Sequence, residues 1–191
     1  MATASNGDEN NERSVGASGP EWAPLEPLPS SEMFLAVFNG KPPLTAADLL
    51  DPAFDLVACQ KQYRLAYEVL GNDTASNEQL RHAASELVTA QADIEVLIAI
   101  IDDAVTDRLK QCRNQREKSL PLLRISSIDV HTESIGEIAA RMADLWETVT
   151  VKAKQPGCEE LPEAHQLVEL CKGYDCLAAE IESGRRLPPG V

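Results

Sequence analysis

Between Ser76 and Pro121 the chain contains neither proline nor glycine, and within that stretch apolar residues recur every seven positions. Ser76 and Gln79 form a capping box at its start. One helix over 77–119 would be about 64 Å long at 1.5 Å per residue. Leu80, Leu87, Ile94 and Ile101 repeat at heptad spacing, and Ala83, Ala90, Leu97 and Ala104 lie three residues beyond each. That is a coiled-coil seam with leucine or isoleucine at a and mostly alanine at d. Acidic residues dominate up to Asp107, whereas Arg108, Lys110, Arg113, Arg116 and Lys118 crowd the far end, so both ends complement the helix dipole. The basic cluster reads as a solvated helix end rather than a phosphate patch.

The middle of this helix departs from a simple seam. In DIEVLIAIIDD, residues 93–103, Val96 falls at c, Ile98 at e, Ala99 at f and Ile100 at g, with Ile94 and Ile101 at a. A two-stranded coiled coil leaves c and f wet. The stretch therefore calls for more than one neighbour, and the eight residues 94–101, apolar except for Glu95, span about 12 Å, too little for a bilayer. The neighbour comes either from this chain or from another subunit.

The chain offers three further helices. Asp51-Pro52 places an N-cap and a first-turn proline, opening a helix over 52–70 with the stripe Leu56, Cys59, Tyr63, Ala66, Leu70. Thr45-Ala46-Ala47-Asp48 resembles a capping box for a separate single turn before it. Ser134 and Glu137 box a helix over 134–154, striped by Ile135, Ile138, Met142, Leu145 and Val149. A last helix over 162–183 carries Leu167, Leu170, Tyr174, Leu177 and Ile181, and Ser183-Gly184 ends it. All three stripes are spaced 3, 4, 3, 4. The short 71–76 turn folds the first of these back, its start arriving near residue 95. The third returns after the linker at 120–131, covers the second half of the long helix and finishes near residue 98, with the fourth starting close by.

Around this core the composition changes. Residues 1–20 have almost nothing to bury and read as a disordered acidic tail. Residues 21–50 are a proline-rich apolar arm in which Trp22, Leu25, Phe34, Leu35 and Phe38 need cover, with Ser31 as the expected cap of a short helix that stops at Asn39-Gly40. The arm either lies on the chain's own core or docks into a partner's groove. Residues 51–184 form the four-helix domain, and 185–191 are a frayed C-terminal tail. Period-two alternation appears only at Ile128-Asp129-Val130. The fold class expected is all-α: an elongated antiparallel helical bundle or coiled coil with one long central helix.

Charge and chemistry narrow the function by exclusion. A net charge of −14, from 31 acidic and 17 basic residues, repels phosphate backbones and argues against nucleic acid as partner. The N-terminal residues lack the basic and apolar regions of a secretory signal, no run is long enough to span a membrane, and the five cysteines make no disulfide pattern. A cytoplasmic or nuclear location with reduced thiols is expected. Gly40-Lys41 lacks the upstream glycine of a phosphate loop, and no histidine follows a glutamate by three. Cys158, His165, Cys171 and Cys176 are separated by 7, 6 and 5 residues, which turns them to different sides of a helix and away from a zinc pattern. Cys171 and Cys176 are read as buried thiols.

No catalytic, metal or cofactor residue is expected. The leading expectation is a non-catalytic structural subunit of a multi-protein helical assembly. It would bind other helical subunits through coiled-coil faces and the arm, with contacts at Trp22, Leu25, Phe34, Leu35, Phe38, Val96, Ile98, Ile100 and Ile101. The alternative is a self-contained four-helix-bundle adaptor or small apolar ligand carrier. A homo-oligomer through the Leu80–Ala104 seam is the weaker third option, since alanine at d does not specify a clean parallel dimer.

Overall fold

The computed structural model describes residues 27–119, 129–156 and 161–189, with side chains placed for all but 113–119. Five helices carry the described residues: α1, Ser31–Phe38; α2, Ala47–Leu70; α3, Asn77–Ser119; α4, Ile135–Lys152; and α5, Pro162–Glu182. The protein is an all-α, elongated bundle built around α3, whose 43 residues run in a single helix. The expectations for 1–20, Trp22, Leu25, Cys158 and the 120–128 linker lie outside the described residues.

Local sequence signals set most helix ends. Gln79 N donates to Ser76 Oγ at 3.3 Å while Ser76 N donates to Gln79 Oε1 at 2.8 Å, closing the capping box of α3. Ser134 and Glu137 do the same for α4 at 2.7 and 3.1 Å. Gly40, at φ +80°, takes the left-handed turn that stops α1.

The start of α2 differs from expectation. Ala46 takes a left-handed conformation, the helix runs from Ala47, and Pro52 lies inside it rather than at its first position. Proline here removes the bond to one carbonyl, that of Asp48. Leu49 and Leu50 are fully buried on the same side as Ala53 and Leu56, and that burial carries the helix through the proline. The longer helix brings Asp48 to Arg108, well past residue 95.

α2 and α3 form an antiparallel hairpin, with Gln62 against Glu86 near its tip and Asp48 against Arg108 at its base. The alanines of the seam, Ala83 and Ala90, are buried, as is Ile101, so the two backbones approach closely along the expected stripe. α4 does not cover the second half of α3. It begins beside Ile98 and Asp102 and runs back toward the hairpin tip, parallel to α2, where Gln60 meets the Ala140 carbonyl and Arg64 meets Glu147. The cause is a docking point that spacing does not reveal: Gly136 N donates to Asp102 Oδ1 at 2.8 Å, and the absent side chain lets α4 touch the α3 backbone. α5 turns back along α4, with Lys152 bonded to Glu163, and packs on α4 and α1 rather than on the middle of α3.

α1 closes the bundle. Phe34 is 0% exposed and meets Tyr174 edge-on at 5.4 Å between ring centres, while Phe38 reaches Trp146. The segment before it is tied down by polar contacts: Tyr174 Oη donates to the Pro29 carbonyl at 2.7 Å, Ser31 N and Oγ donate to Asp175 at 2.8 and 2.7 Å, and Leu28 N donates to Glu182 at 2.7 Å. The C-terminal segment is likewise not a free tail. Arg186–Leu187 pairs in parallel with Asp129–Val130, and His131 N donates to the Leu187 carbonyl at 2.8 Å.

Candidate functional site: the outer face of the α2–α3 hairpin

The helix at DIEVLIAIIDD acquires two neighbours, both from its own chain. α2 covers the side of Ile94, Leu97 and Ile101, and α4 covers the side of Ile98 and Asp102. Successive residues turn by 100°, so Val96 and Ile100 point away from α4. They are 57% and 46% exposed, whereas their neighbour Ile101 is 0% exposed.

The same side of α2 is also bare. Gln60 and Arg64 face α4, which directs Phe54, Ala58, Leu65 and Val69 to the opposite side. Phe54, Leu65 and Val69 are exposed, Leu65 by 46%. An open groove runs between the helices toward the tip, with Leu65 and Val69 on one wall and His82 and Glu86 on the other. The antiparallel register of the Gln62–Glu86 and Asp48–Arg108 contacts sets Phe54 level with Ile100, so the apolar strip continues from the groove to the middle of α3.

Its electrostatics are acidic. Burial, and then the charges of Asp93 and Asp55, raise the Cys59 thiol above its ordinary value. Cys59 thus stays protonated and is a poor nucleophile. Glu86 is held by the Gln62 amide, and Lys61 stands on the groove wall. No group of three or more histidine, cysteine or acidic side chains is arranged to hold a metal among the described residues.

The residues singled out from sequence separate into two sets. Val96 and Ile100 lie on the exposed face, with Ile98 and Leu35 half-buried. Phe34, Phe38 and Ile101 are buried by the chain's own helices, which removes them from any surface a partner could reach in this conformation. Trp22 and Leu25 lie outside the described residues. Phe54, Leu65 and Val69 lie off the packed stripe of α2, but with Ala58 they form a second apolar line spaced 54, 58, 65, 69. Cys171 is buried with its Sγ 3.9 Å from Met142 Sδ, but Cys176 is exposed, contrary to the reading of both as buried thiols.

Among the described residues no helix is long and apolar enough to cross a membrane. Comparison of the chain with protein-family models, curated proteins and solved structures finds no match to any of them. Fold and surface therefore carry the functional reading.

Proposed function

We propose that this protein is a non-catalytic interaction subunit of a multi-protein helical assembly, and that it engages other helical subunits through the outer face of its α2–α3 hairpin. The observation behind this reading is the row Phe54, Leu65, Val69, Val96 and Ile100, exposed along a hairpin whose opposite side is packed. Exposed apolar side chains scattered singly are ordinary, whereas an aligned strip over two helices is the form a helix-docking surface takes.

The bundle interior is closed by the chain's own helices, which supports the version of this reading in which the protein folds alone and then acts as an adaptor. It gives less support to an apolar ligand carrier, because the hollow beside Leu65 is an open groove rather than an enclosed cavity.

A photo-reactive side chain placed at Leu65 or Val96, compared with one at Val168 on the outside of α5, tests the reading in native extracts. A discrete cross-linked product specific to positions 65 and 96 is expected. Equal labelling at all three positions would sink it.

A further inference from the structure

The next inference rests on that reading and identifies the chemistry of the partner. The hairpin face is apolar along its midline and carries carboxylates within its length. Asp55 and Asp93 both bear on the Cys59 thiol from either helix, and neither has a basic partner among the described residues. Lys61 lines the groove on the α2 side, and His82 and Glu86 line it on the α3 side.

Several occupants fit poorly. The chain's own N-terminal segment enters at the wrong end: Arg108 holds the Pro27 carbonyl at 3.2 Å at the base of the hairpin. Trp22, five residues earlier, reaches about 17 Å at most. Ile100 is 8 residues from Arg108, about 12 Å along α3 and within that reach, but the groove at Glu86 is 22 residues away, about 33 Å, and lies beyond it. The residues before Trp22 include Asp8, Glu9, Glu12 and Glu21 against Arg13, the same sign as the face. A second copy brings a net charge of −14 against −14. Nucleic acid and anionic lipid are repelled for the same reason.

We propose that the α2–α3 face binds one basic amphipathic helix of another protein, with its apolar strip on Phe54, Leu65, Val69, Val96 and Ile100 and its Lys or Arg side chains on Asp55 and Asp93. From Phe54 to Val69 the face is about 22 Å long, the length of a helix of about 15 residues. The apolar strip supplies affinity, and the carboxylates select sign and speed the encounter.

The test uses the full chain and two labelled helical peptides of about 15 residues. They share a leucine strip, one flanked by lysine and the other by glutamate, and binding is read by fluorescence anisotropy. The lysine peptide is expected to bind at least about tenfold more tightly than its glutamate twin, and to weaken as salt is raised. Leu65→Ser combined with Val96→Ser should reduce its affinity about tenfold or more. Asp55→Asn with Asp93→Asn should bring the two peptides close together, and Val168→Ser should change nothing. All these positions are on the outside, and circular dichroism checks that helicity is retained.

Equal binding of both peptides, or no binding of the lysine peptide, overturns the proposal. So does binding that ignores the hairpin substitutions, which would mean diffuse attraction to an acidic chain. Self-association that Leu65→Ser abolishes in sedimentation would identify a second copy as the occupant instead. If the peptides fail while cross-linking at positions 65 and 96 still finds a specific protein, only the basic helix is wrong. If that cross-linking fails, the broader reading falls with it.

Discussion

Gly136 touches the backbone of Ile98: a Cβ at position 136 would come within 2.5 Å of the Ile98 carbonyl oxygen and 3.0 Å of the Asp102 carboxylate. This contact sets where α4 docks on α3. A helical glycine changed to alanine ordinarily gains up to about 1 kcal/mol. Here Gly136→Ala should lose about 1–3 kcal/mol, because backbone rather than a flexible side chain must yield. Urea unfolding of the variant measures the sign, and a stabilised variant would refute the close approach.

Ile100 and Ile101 are adjacent in sequence and opposite in environment. Ile101→Asp buries an unpaired carboxylate and should cost several kcal/mol, about 3–5. Ile100→Asp should change stability by no more than about 0.5 kcal/mol. Thermal melts of the pair provide the comparison, and similar melting temperatures would contradict the packing of α2 and α4 on α3.

Phe34 is part of the core and not of a free arm. Phe34→Ala should cost about 3–5 kcal/mol, as for other fully buried aromatics. Removing residues 1–44 should for the same reason lower the melting temperature markedly, followed by circular dichroism. A truncated chain that melts like the full one would return the arm to the role of a docking peptide.

Tyr174 gives the fold an alkaline limit. Burial, then the charges of Asp175 and Glu182, push its phenol well above its ordinary value of about 10. The folded state thus holds the phenolic proton more tightly than the unfolded state. Stability from this group is complete below about pH 10 and is lost as pH rises beyond it. Tyr174→Phe removes the bond to the Pro29 carbonyl, costing about 1–2 kcal/mol at neutral pH. The same substitution should make the alkaline decline in urea midpoint shallower, and an unaltered pH profile would show that Tyr174 does not carry it.

Arg64 makes ion pairs of unequal worth. Glu147 is buried against it, whereas Glu68 is exposed on the next turn. Glu147→Ala should cost about 1–3 kcal/mol, since a half-buried guanidinium loses its main partner. Glu68→Ala should cost about 0.5 kcal/mol or less. Equal effects in chemical unfolding would mean that solvent screens both pairs alike.

What the sequence determined by itself is the set of helices and most of their ends. Capping at Ser76 and Ser134, the stop at Asn39-Gly40 and the long interval without proline or glycine act through hydrogen bonds a few residues apart. A reader of the chain holds all of that information. The buried stripes were legible for the same reason, because period and burial are one geometric fact in a helix. The tertiary structure alone decided which faces stay covered. Burial of Leu49 and Leu50 overrode the start signal at Asp51-Pro52, and Gly136 with Asp102 drew α4 to the middle of α3 and away from its second half. Arg186–Leu187 found strand partners more than fifty residues away. These outcomes depend on contacts between segments distant in sequence, where no local spacing distinguishes one partner from another. That is why Val96 and Ile100 could be marked as needing cover, while only the arrangement of α2 and α4 showed that their side of the helix remains open.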